Sequence, residues 1–195
     1  MNILDLPSLS KRIIETITQT MGVGQASLFL INDEKGEYQL SESLNLFSPP
    51  ILSRESPLIA YLQKIKEIVV REEIAKGANL RELRDVLQQM GLLGAEISIP
   101  LLSKGKLIGV INLSHKLNKD LYYQEDIDLL TTLAYQAAIA LENAKLFEDL
   151  KKSKSYIRRA DRLASLGTLT AGLAHEIRNP LVAIKTLTQL LPERI

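Results

Sequence analysis

A long helical pattern fills the C-terminal part of the chain. From Gln124 onward, apolar residues recur at alternating intervals of three and four, and Pro180 is the first proline in this region. This spacing places them along one stripe of an α-helix. The first stripe consists of Leu130, Leu133, Ala137, Ala140, Ala144 and Phe147. Its many small residues are typical of a coiled-coil seam, so any fold for this chain has to accommodate a long, pairing helix.

The long helical pattern contains a second stripe that is out of phase with the first. Its members are Leu163, Leu166, Thr170, Leu173, Ile177, Ile184, Leu187 and Leu191. Continued by heptads, the first stripe runs through charged residues and reaches Thr168 where the second uses Leu166. The break falls within "KKSKSYIRRADR", and we interpret it as a boundary between packing units. An insertion of two residues there is expected to bring Thr168 into phase.

The break and the patterns on either side of it predict three segments. These are a domain over residues 1–150, a basic linker or signalling helix over 151–162, and a further helix over 163–195. The linker is interpreted as a solvated helix, because six basic residues with one tyrosine make only a modest patch.

The first domain combines helices with strands. The predicted helices are residues 8–21 with Ser8 or Ser10 as N-cap, Leu58 to Ile65, and Leu80 to Met90; the predicted strands are Ala26 to Ile31, Tyr38 to Ser43, Glu96 to Leu102, and Leu107 to His115. Gly105 supplies the positive φ that a tight turn needs, and Pro100 favours a sheet edge or a bulge. The pattern predicts an α+β fold around an antiparallel sheet.

The composition excludes several classes of function. Of the 195 residues, 46% are hydrophobic and 24% charged, the net charge is +1, and there is no cysteine. This rules out disulfides, thiolate nucleophiles and zinc–cysteine sites, and no overall charge recruits nucleic acid. No apolar run reaches the roughly 20 residues that span a bilayer, and the N-terminus lacks a signal-peptide pattern. We therefore expect a cytoplasmic chain without a transmembrane segment or a nucleic-acid partner.

The stretch "LAHEIRNPLVAIK" carries the candidate chemistry. Glu176 can hold one ring nitrogen of His175 as N–H, which leaves the other nitrogen as a nucleophile. Asn179 lies at i+4 from His175, where its amide can position a water or a phosphoryl oxygen. Pro180 cannot donate to the carbonyl of Glu176, so the helix should bend there. One His with one Glu is too few ligands for a metal. A phosphoryl-accepting histidine and a plain surface histidine both remain open on these residues alone.

"RLASLGTLTAGLAHEIRNPL" resembles the dimerisation and phosphoacceptor helix of two-component sensor histidine kinases. The resemblance implies that His175 is phosphorylated from ATP, that Glu176 acts as base, and that Asn179 orients a hydrolytic water. It also implies a homodimer, here through helices 124–150 and 163–191, and a response-regulator receiver domain as partner.

Two parts of that family are missing from the sequence. The second helix of the phosphoacceptor hairpin is absent, and the glycines after Gly109 are only Gly167 and Gly172, which form no ATP motif. We expect an N-terminal piece of a longer kinase, inactive alone. ATP and Mg²⁺ are implied for the missing catalytic domain, and no cofactor is expected in this chain.

Residues 1–150 resemble a GAF domain, most clearly from "GAEISIPLLSKGKLIGVINLSHK" to the last helix. The resemblance implies a small-molecule or light sensor of unknown ligand. "SHKLN", Tyr122 or Tyr123, Glu125 and Asp126 partly match a cyclic-nucleotide pattern, but anchoring of the last helix is favoured. For His115 a strand-end role is favoured over haem ligation. Without cysteine a bilin cannot be attached covalently. A degenerate GAF domain that only dimerises is the remaining alternative.

The combined expectation is a GAF-like domain running through a long signalling helix into the first helix of a dimeric phosphoacceptor bundle. A change in the domain would alter the packing of the stripe from Leu130 to Phe147, shift the register within 151–161, and rotate the helix that carries His175. Two alternatives stay open: a GAF ligand-binding and dimerisation module whose His175 is phosphorylated by another protein, and a phosphotransfer relay that does not bind ATP.

Overall fold

The computed structural model describes residues 5–46, 50–76 and 81–190, and describes the side chains of these residues up to 160 and of 162 and 163. Five helices and six strands follow one another in this order: α1 Leu6–Met21, β1 Ala26–Asn32, β2 Glu37–Leu44, β3 Leu52–Ser53, α2 Pro57–Ile65, β4 Val69–Val70, α3 Arg71–Lys76, α4 Arg81–Leu92, β5 Ile97–Ser103, β6 Lys106–Leu113 and α5 Gln124–Leu190. The expected α+β class is confirmed.

Helix α1 begins two residues before the predicted start. The carboxylate of Asp5 accepts a hydrogen bond from the backbone N–H of Ser8 at 3.1 Å, so Asp5 is the N-cap. The predicted caps were therefore wrong: Ser8 is a donor in the first turn, and Ser10 is buried with its hydroxyl 2.8 Å from that of Ser41. Gly22 ends the helix with a φ of 63°.

The six strands form one antiparallel sheet in the order β3-β2-β1-β6-β5-β4. The four long strands were predicted to within a few residues. In the β5–β6 turn, Lys104 and Gly105 have φ values of 49° and 77°, the positive pair of a tight hairpin turn. Strand β4 pairs only with Ile97 and Ser98, so it does not extend to Pro100, and the ladder to β6 has an irregularity between Leu101 and Leu102. The expectation of an edge or bulge at Pro100 is confirmed.

Apolar residues cover both faces of the sheet. One core lies between the sheet and helices α1 and α5, where Ile14, Leu28, Ile111 and Leu130 are buried together. The other lies between the sheet and the short helices α2 and α4. Its fully buried members include Phe29, Tyr38, Leu52, Leu58, Leu62, Val86, Met90 and Val110. The helix that leaves the domain is thus part of the first core.

The predicted coiled-coil stripe of α5 partly faces this core. Leu130 and Ala137 are 1% and 7% exposed and pack with Ala134, Ala138 and Leu141 against the sheet. The interpretation of Leu130 and Ala137 as seam residues for a second helix was wrong, because the sheet of the same chain already covers them. The exposed stripe lies one residue earlier along the helix.

That exposed stripe has a regular heptad spacing. It consists of Leu129, Thr132, Gln136, Ile139, Asn143, Leu146, Leu150, Ser153, Ile157 and Ala160, all exposed. We call these ten residues the outer stripe.

Within the described part of the chain, no helix combines the length and hydropathy that crossing a membrane requires.

Candidate functional site

The proposed phosphoacceptor segment lies within helix α5. The helix runs from Gln124 to Leu190 and so includes His175, Glu176, Asn179 and Pro180. The side chains of these residues lie outside the described residues, as does the side-chain packing of the second stripe. The predicted roles of His175, Glu176 and Asn179, and the bend at Pro180, therefore stay predictions. The backbone places the acceptor on the same helix that packs against the sheet.

Two hairpin turns hold α5 near the end of the first domain. In the β5–β6 turn, the hydroxyl of Ser103 donates to Glu142 at 2.5 Å, and the ammonium of Lys104 lies 3.3 Å from the same carboxylate. In the β1–β2 turn, the carboxylate of Asp33 accepts a hydrogen bond from Lys145 at 2.7 Å. We call these five residues the exit clasp. They bind successive turns of α5 to both hairpins.

The charges of the exit clasp favour its hydrogen bonds and ion pairs at neutral pH. The hydrogen bond from Lys145 lowers the pKa of Asp33 more than burial raises it, and Arg54, 3.1 Å away, acts in the same direction. The hydrogen bond from Ser103 is the main cause that lowers the pKa of Glu142. Both carboxylates are thus ionised well below neutral pH. Sequence reasoning missed the clasp because its partners are 38 to 112 residues apart.

The residues that partly matched a nucleotide-binding pattern anchor the start of α5. The ammonium of Lys116 lies 2.7 Å from the carboxylate of Asp126, which also accepts the backbone N–H of Tyr123 at 2.8 Å. The hydroxyl of Tyr122 donates to the carbonyl of Ser114 at 2.6 Å, and burial strongly raises its pKa, so it remains a donor. Burial raises the pKa of the Asp126 carboxyl, but the hydrogen bonds from Lys116 and Tyr123 together lower it by more. The net pKa is below its usual value, so the ion pair with Lys116 persists to low pH. This geometry agrees with the favoured anchoring role.

His115 lies on the surface just after strand β6. Its side chain is 74% exposed, and its Nε2 is 3.4 Å from a carboxylate oxygen of Glu96. Arg71 binds the same oxygen at 2.9 Å. An exposed histidine beside a carboxylate and a guanidinium has no enclosed apolar pocket in which to ligate a haem.

The sheet face beneath α2 and α4 is covered by the second core. Its core is closed by fully buried side chains such as Phe29, Leu62 and Met90. At one place, Asn112 links two serines across three strands, accepting from Ser98 at 2.8 Å and donating to Ser27 at 3.3 Å. All three are buried, and no described buried side-chain polar atom lacks a partner. The side-chain polar groups of these three residues therefore find their hydrogen-bond partners within the protein.

The described side chains do not form a metal centre. Among them, no group of three or more His, Asp and Glu residues is arranged to hold an ion.

Two family models match the chain in succession. The GAF domain model matches residues 5–141, and the His Kinase A (phospho-acceptor) domain model matches residues 165–194. The second match contains His175, Glu176 and Asn179. The boundaries predicted at residues 150 and 162 fall between the two matches and remain predictions.

Short stretches of the chain are similar to curated proteins that are named as kinases. The signal transduction histidine-protein kinase AtoS of Escherichia coli is 50% identical over 52 residues, which is 25% of this chain and 9% of AtoS. Sporulation kinase A of Bacillus subtilis is 38% identical over 69 residues, or 35% of this chain and 11% of that protein. The sensor protein kinase PilS of Pseudomonas aeruginosa is 69% identical over 32 residues, covering 16% of this chain and 6% of PilS. The chain thus spans about a tenth of these relatives or less.

Solved structures share the fold of the first domain. The GAF domain of an Acinetobacter phosphoenolpyruvate-protein phosphotransferase superposes with a TM-score of 0.57 at 22% identity, covering 73% of this chain and 86% of that one. Residues 122 to 287 of a methyl-accepting chemotaxis protein give a TM-score of 0.59 at 14% identity, covering 73% and 92%. At these identities the likeness establishes the fold alone. The chain belongs to the GAF domain family, and its GAF domain is joined to a His Kinase A phospho-acceptor segment, the combination found in a sensor histidine kinase.

Proposed function

We propose that this chain is the sensor and phosphoacceptor region of a two-component histidine kinase, with His175 as the acceptor. The observation that carries the proposal is the match of residues 165–194 to the phospho-acceptor domain, on a helix that begins inside the GAF core. ATP is delivered by a catalytic domain that the chain's sequence does not supply. The relatives named above support this assignment because each is itself named a kinase.

The chemistry proposed for His175 is two successive phosphoryl transfers. In the first, the unprotonated ring nitrogen attacks the γ-phosphorus of ATP, a N–P bond forms, the bond to the β,γ-bridging oxygen breaks, and ADP leaves. Glu176 holds the N–H of the other ring nitrogen and stabilises the positive charge that develops on the ring. In the second, an aspartate carboxylate of a receiver domain attacks the phosphorus, the P–N bond breaks, and neutral imidazole is regenerated. Asn179 is proposed to orient a water that attacks the phosphorylated partner in hydrolysis.

The outer stripe is the proposed homodimer seam of the first helix segment. Its ten positions follow the a and d positions of a heptad, and Leu129, Ile139, Leu146, Leu150 and Ile157 are its large apolar members. A polar asparagine at an a position favours one register in a two-stranded parallel coiled coil, and Asn143 occupies such a position. In that arrangement Asp149 of one copy stands opposite Lys154 of the other as a g–e′ ion pair.

Single cysteines can distinguish the outer stripe from the stripe first expected. The chain has no cysteine, so each variant carries one thiol. In a parallel pair, a positions face each other closely enough for a disulfide, whose Cα atoms lie about 5.5–6 Å apart. The side chain of the next residue is rotated by about 100° around the helix axis, so it points away from the partner helix. We expect Leu150→Cys to give a dominant cross-linked dimer on a non-reducing gel after mild oxidation, and the matched Lys151→Cys to remain largely monomeric.

Both cysteine positions are exposed, so unequal accessibility does not explain a difference. Equal cross-linking of the two variants, or preferential cross-linking at residue 151, would contradict the outer stripe as the seam.

Signal transfer is proposed to run through the exit clasp into α5. The clasp fixes Glu142 and Lys145, and after Lys145 the side chains of α5 that the structure describes, those of 146–160, 162 and 163, are all exposed. A displacement of either hairpin therefore acts on the helix where its packing against the domain ends. The proposed consequence is a rotation of the downstream helix that changes access to His175.

A second candidate for the GAF domain is dimerisation and positioning without a small-molecule ligand. The filled core beneath α2 and α4 favours it, since fully buried side chains occupy that face of the sheet. The ligand-sensing role remains a proposal beside it, as does the cytoplasmic location expected from the sequence.

Labelled ATP separates a kinase from a phosphotransfer relay. The complete gene product is incubated with ATP labelled at the γ-phosphate and then treated with acid or alkali. A kinase gives a protein-bound phosphate that acid removes and alkali does not, the behaviour expected of a P–N bond. A relay takes no label from ATP but does take it from a phosphorylated receiver domain. That second result, or an acid-stable label, would contradict the kinase proposal.

A further inference from the structure

The helix segment after the GAF domain has its charges on one side. Its basic residues are Lys151, Lys152, Lys154, Arg158, Arg159 and Arg162, and all six are exposed. At 100° per residue they lie within about 160° of the helix circumference, and we call this side the basic arc. Glu148 is the one acidic position of 147–163 that falls within it, whereas positions 149 and 161 fall outside.

The basic arc lies on the side away from the dimer seam. On the same helical wheel, the seam positions Leu150 and Ile157 fall on the opposite side of the helix from Arg159. Pairing of two copies through the outer stripe therefore leaves the basic arc in solvent except for Lys154, which borders the seam at an e position. Positive charge is concentrated in this short segment, since the whole chain carries a net charge of only +1.

Exposed apolar side chains border the basic arc on both edges. Phe147 is 44% exposed and lies just inside one edge, between Lys154 and Arg158, whereas Tyr156 and Leu163 are 72% and 64% exposed and lie about 20–40° beyond the other edge. They occupy e and g positions rather than the a and d positions of the seam, so pairing covers them only in part. A basic helix face flanked by aromatic and aliphatic residues is the arrangement that binds the headgroup region of an anionic bilayer. Binding of a nucleic-acid backbone requires the cations but not the apolar border.

We propose that the basic arc with its apolar border binds an anionic lipid surface. The segment then lies along the membrane plane, its lysines and arginines at the lipid phosphates and Phe147, Tyr156 and Leu163 in the headgroup layer. The binding is peripheral and does not depend on phosphoryl transfer. It would fix the helix between the GAF domain and the acceptor histidine against a surface.

Vesicle co-sedimentation of the 195-residue chain tests the proposal. The vesicles are pure phosphatidylcholine, or phosphatidylcholine with a third of phosphatidylglycerol, at 0.1 M salt. We expect binding only to the anionic vesicles. Each basic residue near such a surface contributes about 1 kcal/mol, so Arg158→Gln with Arg159→Gln should weaken partitioning about 30-fold. Tyr156→Ser should weaken it several-fold.

A matched control removes the same charge elsewhere. Lys11→Gln with Arg12→Gln changes two exposed basic residues of α1, and this variant should bind as the unmodified chain does. Circular dichroism confirms that both double variants keep their helix content. Equal loss in the two double variants, equal binding to neutral vesicles, or no effect of Tyr156→Ser would overturn the proposal. So would tighter binding to a DNA duplex or to polyglutamate than to anionic vesicles under the same conditions.

Discussion

His175→Gln is expected to abolish the acid-labile phosphate that the complete kinase takes from labelled ATP. The carboxamide of glutamine has a similar reach but no basic nitrogen, because its lone pair is delocalised into the carbonyl. It therefore cannot form the N–P bond. Loss of the nucleophile itself removes the whole reaction, so the label should fall to background. The measurement is the alkali-stable, acid-labile label per dimer.

The chain supplies its own control, since it has only two histidines. His115 is exposed on the loop after β6 and lies beside Glu96, outside the proposed site. His115→Gln should keep the label at the level of the unmodified protein. A label that persists in the His175 variant, or that disappears in the His115 variant, would place the acceptor elsewhere. The His115 variant should melt at the temperature of the parent, because its exposed side chain belongs to neither described core.

The strands of the GAF domain were predictable because local signals agree there. Strands β1, β2, β5 and β6 alternate or run apolar between turn residues, and the β5–β6 turn has glycine at Gly105, where φ is positive. The short strands β3 and β4 have two residues each, too few for any periodicity to indicate them. Their existence depends on the neighbouring strand.

Sequence periodicity alone could not show which stripe of α5 the sheet covers, for a physical reason. Two stripes run along the first part of α5, one residue apart, and both contain apolar residues at heptad spacing. Periodicity predicts the helix and its apolar sides, but it does not show which side the sheet covers. Leu130 and Ala137 pack on the sheet because the β6–α5 loop, fixed by Lys116, Asp126 and Tyr122, sets the rotation of the helix. That rotation is a tertiary property.

The exit clasp illustrates the same limit at the functional site. Asp33 and Lys145 are 112 residues apart and become neighbours only when the hairpin and α5 pack on the same sheet. By contrast, the acceptor motif was recognisable from a few contiguous residues, since His175, Glu176 and Asn179 lie within one helical turn and the family model matches that segment.

The corrected seam changes the expected effect of insertions in the linker. Extended by heptads, the outer stripe reaches positions 164 and 167, whereas the second stripe begins at Leu163 and Leu166. The two frames therefore differ by one residue rather than two. One residue inserted between Ala160 and position 161 should make the apolar seam continuous, and the two-residue insertion first expected to do so should overshoot.

We expect the one-residue insertion to have the largest effect on regulation in the complete kinase. A continuous seam removes the mismatch that lets the GAF domain bias the downstream helix, so autophosphorylation should become insensitive to the state of that domain. Coupling free energies between sites of about 1–3 kcal/mol correspond to changes of about 5- to 150-fold in activity. The dimer should also melt at a higher temperature, because the interrupted heptad is repaired.

An insertion of seven residues is the matched control. It lengthens the helix but turns the downstream part by only about 20° from its original phase, whereas one residue turns it by about 100°. The seven-residue variant should keep regulation within about twofold of the parent, well below the coupling range. The measurement is the initial rate of His175 phosphorylation, with and without Asp33→Asn, which opens one half of the exit clasp. Equal rates and equal sensitivity across insertions of one, two and seven residues would show that helix phase does not carry the signal.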